Sequence, residues 1–129
     1  CSNALAVAQW LQKHPKVVGV NYAGLTDSPY HATARRICGG RASGILSFEL
    51  KGGIDAGMRF IDALQLIYRL VNIGDAKTLA CHPASTTHRQ LNDEELARAG
   101  VPAGLVRLSI GIEDVDDILA DIEQALAQA

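Results

Sequence analysis

The sequence has little net charge, no long apolar run and few cysteines, and each shortage removes a class of function. Its 12 basic and 14 acidic side chains leave a net charge of −2. Such a balance gives no electrostatic reason to expect nucleic acid or an anionic membrane as partner. No apolar stretch approaches the roughly 18 residues that span a bilayer, and no basic-then-apolar leader pattern is visible at the start. The three cysteines, Cys1, Cys38 and Cys81, form neither a disulfide framework nor a CxxC site. Free thiols in a reducing compartment, the cytoplasm, are therefore expected. Repeats, low-complexity tracts and interior linkers are absent as well.

What is present suffices for one folded domain spanning residues 1–129. The chain is 48% hydrophobic and 20% charged, too apolar for disorder and long enough to bury roughly two-thirds of its unfolded surface. Ala4, Val7 and Leu11, with Leu5, Ala8 and Trp10 beside them, follow a helical stripe. That stripe is already under way at Cys1, which reads as the later part of a longer helix, and His14-Pro15 stops it. Val17 to Tyr22 is expected as a short buried strand, Gly24 to Tyr30 as turn, and His31 to Ile37 as a short helix. Ile45 to Leu50 alternates as a strand, with Leu46, Phe48 and Leu50 on one face.

After Gly52-Gly53 a helix is expected from Ile54 to Leu70, with Ile54, Met58, Ile61, Leu64/Gln65 and Tyr68 as its buried stripe. Short apolar pieces follow at Val71 to Ile73 and Thr78 to Cys81. Asn92, three residues before Glu95, has the spacing of a capping box, and Gly100 closes that short helix. Leu105 to Ile110 reads as the last strand. Asp114 caps a final helix expected to bury Val115, Ile118, Leu119, Ile122 and Leu126. The alternation of strands and helices predicts an α/β (α+β) domain, a small sheet with helices packed largely on one face.

Few residues suggest chemistry. Gly52 and Gly57 have the spacing of a phosphate loop, but Met58-Arg59 stand where that loop needs Lys and Ser/Thr, so a tight strand-to-helix turn is expected. Cys81, His82 and His88 lack zinc-ligand spacing, and adjacent residues of an extended segment face opposite ways. A structural or exposed role is expected for each. Arg107 says more, because it interrupts an apolar strand and an unpaired buried guanidinium is costly. Its planar fork matches a carboxylate. An internal salt bridge to Glu49 or Glu113 is the first expectation, and a ligand carboxylate the sharper alternative. Asn72, polar within an apolar run, is either a satisfied turn amide or a donor offered to a ligand.

The stretch from Asn72 to His88 (NIGDAKTLACHPASTTH), followed at family separation by Arg107 to Asp114 (RLSIGIED), resembles the C-terminal domain of the pyridoxal-phosphate (PLP) enzymes of cysteine and methionine metabolism. That family includes cystathionine γ-synthase, methionine γ-lyase and O-acetylhomoserine sulfhydrylase. The resemblance runs over essentially the whole chain, and His82-Pro83-Ala84-Ser85 followed by Thr87-His88 is its most specific part. Asn72-Ile73-Gly74, where many members have Ser-Leu-Gly, looks most like the sulfhydrylase branch.

The resemblance implies the C-terminal domain of a fold-type I PLP transferase, with a mostly antiparallel sheet. It gives Arg107 the substrate α-carboxylate, and places Asn72 and Thr87 as substrate-binding residues near the same pocket. The implied reaction replaces the acetoxy group of O-acetylhomoserine by sulfide, giving homocysteine and acetate for methionine biosynthesis, with PLP as electron sink. The family's Schiff-base lysine, phosphate cradle and ring-stacking aromatic lie in a preceding domain. None of Lys13, Lys16, Lys51 and Lys77 has the required setting. No catalytic, PLP-binding or metal-binding residue is therefore assigned in this chain, which is expected to be inactive without that N-terminal partner domain. A homo-oligomer, the tetramer common in the family, is expected of the parent. The alternatives are a stand-alone carboxylate-binding or interaction module, or the same domain of a cystathionine γ-synthase or methionine γ-lyase.

Overall fold

The computed structural model describes residues 1–88 and 90–129. Among the described residues five helices and five strands follow one another as α1 (Ser2–Leu11), β1 (Val17–Asn21), α2 (His31–Ile37), β2 (Ile45–Leu50), α3 (Gly53–Ala63), β3 (Tyr68–Arg69), β4 (Leu79–Cys81), α4 (Asp93–Arg98), β5 (Leu105–Ser109) and α5 (Val115–Gln128), with a 3-10 turn at Pro83–Ser85. The strands form one sheet in the order β1-β2-β5-β4-β3. Three of its pairings are antiparallel, and only β3 runs parallel to its neighbour β4.

Alternation along the two inner strands decides where the core lies. Leu46, Phe48 and Leu50 of β2 and Val106 and Leu108 of β5 are buried against Ala4, Val7, Ala8 and Leu11 of α1, Phe60 and Ile61 of α3, and Ile118, Ile122 and Leu126 of α5. Phe48 and Phe60 meet edge to face, with centroids 5.6 Å apart at 85°, the favourable arrangement for an aromatic pair. The opposite face carries no helix layer from these three elements. There Ile45, Ser47, Glu49, Leu105 and Arg107 remain half-buried.

Two expectations of element shape are corrected. Val17 to Tyr22 was expected to be buried, but β1 is an edge strand pairing only with β2, and Val18 is 58% exposed. The helix expected over Ile54 to Leu70 ends at Ala63. Leu64 turns extended, and the carboxylate of Asp121 on α5 accepts the next three backbone N–H groups, of Gln65 at 2.9 Å, Leu66 at 2.9 Å and Ile67 at 2.8 Å. Gln124 closes the same junction, donating to the Ala63 carbonyl at 2.7 Å and to Asp121 at 2.9 Å. The chain is thereby freed to enter β3 at Tyr68.

The buried stripe of α3 also differs from expectation. Ala56, Gly57, Phe60 and Ile61 face inward, while Ile54, Met58 and Tyr68 are 39%, 46% and 56% exposed. Small residues mark the inner face because the helix lies close to its neighbours. A Cβ on Gly57 would fall 2.3 Å from Nε2 of His82. Gly52 meanwhile adopts φ +98° ahead of α3, so the tight strand-to-helix turn expected there is made through a left-handed glycine.

Both ends of α5 are capped by side chains. Asp114 accepts the Asp116 N–H at 2.9 Å, as its position predicts. At the other end Lys16 donates to the carbonyls of Leu126, Ala127 and Ala129 at 2.7, 3.3 and 3.0 Å, placing a cation where the helix dipole is negative. The inward face of α5 includes Asp121 and Ala125, whereas Val115 and Leu119 are only half-buried. Around α4 the capping box is complete, with Asn92 and Glu95 exchanging backbone-to-side-chain bonds at 2.9 Å.

Replacing Asp121 by Ala would remove the charged acceptor of three backbone N–H groups, that of Ile67 buried, so Asp121→Ala is expected to cost about 3 kcal/mol in urea unfolding. Asp62, paired with Arg69 at an exposed position, is the control: Asp62→Ala should cost less than about 1 kcal/mol. Equal costs for the two would contradict the role given to Asp121.

Candidate functional site

Strand β5 sits between β2 and β4, so Arg107 has a registered neighbour on each side, Ser47 on β2 and Cys81 on β4. Asn21 on β1 pairs in turn with Ser47. A row of four polar side chains, Asn21-Ser47-Arg107-Cys81, thus crosses the face away from the core. A cavity of about 330 Å³ opens along it, lined by Asn21, Ser43, Ser47, Pro83, Leu105 and Arg107 among others. A smaller one, about 160 Å³, is lined by Val71, Cys81, His82, Ser85 and Thr86 among others.

The salt bridge expected from Arg107 to Glu49 or Glu113 is not made. Among the described residues Arg107 pairs with no carboxylate. Glu113 is committed elsewhere, accepting from the backbone N–H and the hydroxyl of Thr78 at 2.5 and 2.8 Å. Arg107 instead donates through Nη2 to the backbone carbonyls of Val71 and, at 3.3 Å, Asn72. Its Nε–H is shielded from solvent and has no acceptor among the described residues. The two carbonyls hold one edge of the guanidinium, and the remaining charge and donor are unspent. A carboxylate would satisfy both.

Asn72 joins this site through its backbone. Its side-chain Oδ1 accepts the N–H of Ile73 at 2.9 Å, the turn-amide arrangement. Thr87 is not brought to Arg107 by any recorded bond. It is exposed, its hydroxyl bonded to Nδ1 of His88 at 2.8 Å, and it lines neither cavity. Among the described residues no group of three or more His, Cys, Asp or Glu side chains could hold a metal ion.

Cys81 and His82 are both buried, which excludes the exposed role left open for them. Burial pushes the Cys81 thiol up, against the opposing pull of the Arg107 charge, so it stays protonated and is a poor nucleophile. His82 donates from Nε2 to the Ala103 carbonyl at 2.7 Å and accepts from the Ser85 hydroxyl at Nδ1, 2.9 Å away. A carbonyl can only accept, which sets the tautomer. Burial holds the imidazole below its ordinary 6.5, the bond to Ala103 opposing the shift only in part. Sequence reasoning missed this junction, and missed Ser109, whose hydroxyl accepts the Gly74 N–H at 3.1 Å. Ser109 lies two residues beyond Arg107 on the same strand face, a placement that could have drawn notice to it.

A Schiff base needs a lysine near the site, and the four lysines lie elsewhere. Lys16 caps α5, Lys51 donates to the Pro15 carbonyl at 2.5 Å, Lys77 sits 4.5 Å above the Tyr68 ring, and Lys13 is exposed just beyond α1. None lines either cavity beside the row. These residues fit a carboxylate and do not by themselves fit PLP.

A fold-type I PLP-enzyme domain is the class this architecture defines. The chain belongs to the family of Cys/Met metabolism PLP-dependent enzymes, which it matches over residues 1–127. It is 54% identical over 125 residues to the O-acetyl-L-homoserine sulfhydrylase of Leptospira meyeri, covering 96% of this chain and 28% of that protein. To the L-methionine gamma-lyase of Pseudomonas putida it is 50% identical over 126 residues, covering 98% and 31%. A crystal structure from Campylobacter jejuni, assigned as an O-acetylhomoserine (thiol)-lyase and containing N'-pyridoxyl-lysine-5'-monophosphate, superposes with a TM-score of 0.88 at 45% identity. That match covers 98% of this chain and 30% of the other. The chain thus spans about 30% of the length of these relatives.

The state of His82 makes stability pH-dependent in a definite direction. The unfolded chain protonates near the ordinary value of 6.5 while the folded chain resists, so the unfolded state binds more protons below that pH. The contribution is complete above the unfolded value and shrinks as pH falls below it. Urea unfolding at about pH 8 and about pH 5 should show the loss, and His82→Gln should shrink the difference. An undiminished pH dependence in the variant would contradict the assignment.

Proposed function

We propose that this chain is the C-terminal, substrate-carboxylate-binding domain of a PLP-dependent O-acetylhomoserine sulfhydrylase, a cytoplasmic enzyme of methionine biosynthesis, and that it is inactive alone. The observation that carries this reading is the unspent guanidinium: Arg107 lies on the open sheet face, bonded to two backbone carbonyls, with a buried Nε–H and no carboxylate partner among the described residues. The sulfhydrylase relative at 54% identity supports the choice of reaction, and the share of about 30% supports a larger N-terminal domain that supplies the lysine and the PLP phosphate cradle.

Within that enzyme Arg107 binds and orients the amino-acid carboxylate through two parallel N–H···O bonds. The carbonyls of Val71 and Asn72 fix the plane of its guanidinium. The Asn72 side chain, with its amide nitrogen bonded to no described residue, and Thr87 complete the pocket once the larger domain is in place. PLP, when bound, supplies the electron sink for displacement of the acetoxy group by sulfide. In the enzyme containing this chain, O-acetyl-L-homoserine and sulfide should give homocysteine and acetate. Release of methanethiol from methionine as the dominant activity would place it with the lyases instead.

Two measurements test the division of labour. Mixed with pyridoxal phosphate, the 129-residue chain should develop no aldimine band near about 420 nm and no stoichiometric borohydride-reducible adduct on a single lysine. Such an adduct would refute the claim that the chain holds no Schiff-base lysine. In the enzyme, Arg107→Ala should lower kcat/KM for the amino-acid substrate by about a hundredfold or more, as loss of a bidentate charged contact implies. Unchanged kinetics would remove the carboxylate role.

A further inference from the structure

The guanidinium of Arg107 is aimed by two backbone carbonyls, so whatever fixes the loop bearing those carbonyls also fixes the arginine. Residues 70–78 join β3 to β4, and only part of this connection is held by its own turns, through Asn72 to the Ile73 N–H and Asp75 to the Lys77 N–H. The rest is held from outside by the strand that carries Arg107 and by the turn that follows it. The Gly74 N–H donates to Ser109, and the Ala76 carbonyl accepts the Ile112 N–H at 2.9 Å.

The tightest point is Thr78, which is fully buried. Its N–H and hydroxyl both donate to the Glu113 carboxylate, and its hydroxyl oxygen accepts the Gly111 N–H at 2.9 Å. No side chain fits at position 111, because a Cβ there would lie 2.2 Å from the Ala76 carbonyl oxygen and 2.5 Å from the Glu113 carboxylate. Asn3 at the start of α1 braces the same turn, donating to the carbonyls of Gly111 and Glu113 at 3.3 and 2.8 Å.

We propose that the Thr78–Glu113 clamp is a positioning device for Arg107: it sets the loop whose Val71 and Asn72 carbonyls orient the guanidinium, and thereby the affinity of the site for a ligand carboxylate. The clamp touches no substrate. It converts the turn after β5 into a template for the loop before β4, so the two halves of the arginine's surroundings are built from one another. The affinity arm of the test rests on the carboxylate reading of Arg107, whereas the loop arm does not.

The test uses the isotope-labelled 129-residue chain and two NMR readouts, amide hydrogen exchange and the Arg107 Nε–H resonance. The carboxylate probe is L-norleucine, which has no leaving group. Thr78→Val removes the hydroxyl at nearly constant shape, and Thr78→Ser restores it. In Thr78→Val, exchange at Gly74, Gly111 and Ile112 should rise about tenfold or more, the Arg107 resonance should shift, and the norleucine Kd should rise about fivefold or more. Val106 and Leu108 should exchange as before, and Thr78→Ser should behave as the wild type.

Uniformly faster exchange in the core strands with the Arg107 resonance and norleucine Kd unchanged would show a merely structural role and overturn the proposal. So would an unaltered loop and Arg107 resonance. If Thr78→Val does not fold, Glu113→Ala carries the same comparison and the same outcomes. If norleucine leaves wild-type Arg107 unmoved in the chain without its larger domain, loop exchange and the Arg107 resonance alone decide whether the clamp positions the guanidinium.

Discussion

A strand with neighbours on both sides cannot hide a charged side chain by fraying or turning outward, and β5 is such a strand. Val106 and Leu108 are fully buried against the helices, which forces Leu105, Arg107 and Ser109 onto the opposite face. Slipping the register by one residue to neutralise Arg107 would drive the guanidinium into the apolar core, at a cost no local contact could offset. The position of Arg107 is thus set by packing on the far side of the sheet. Its surroundings then had to be assembled from whatever lies on the near side: backbone carbonyls of the 70–78 connection, the Ser47 and Cys81 neighbours, and an open cavity.

The same economy of parts appears in the two buried carboxylate junctions. Asp121 takes the backbone donors released where α3 ends, and Glu113 takes the donors of Thr78. Each is a side chain from a later element satisfying the main chain of an earlier one, so the irregular segments of the fold are as specified as its regular ones. His82 does similar work between the Pro83–Ser85 turn and Ala103, with Gly57 giving its ring room. These junctions hold the loop residues around the open face without needing long secondary structure there.

Much of this was legible in the sequence because it depends on local rules. The caps of α4 and α5, the alternation of β2 and β5, the termination of α1 before Pro15 and the placement of helices on one face all follow from spacing and residue type. Two of the departures share a cause: a tertiary partner overrode a local preference. Leu64-Gln65-Leu66-Ile67 could continue a helix, and only Asp121, more than fifty residues away, diverts it. Glu113 could have paired with Arg107, but Thr78 presents two buried donors to it. The inner face of α3 was misplaced because Ala56 and Gly57 carry little hydrophobic weight, yet small size is what close packing required. At the site, residue type pointed to a carboxylate partner for Arg107. That the partner is not supplied by the described residues could be seen only in three dimensions.

The central claim is that the charge left unspent by the fold is spent on a substrate. A crystal structure of the enzyme containing this chain, solved with the bound amino-acid substrate or an unreactive analogue, tests it most directly. The α-carboxylate should lie against the Arg107 guanidinium, with N–H···O contacts of about 2.7–2.9 Å. A carboxylate bound to another cation and out of contact with Arg107 would contradict it.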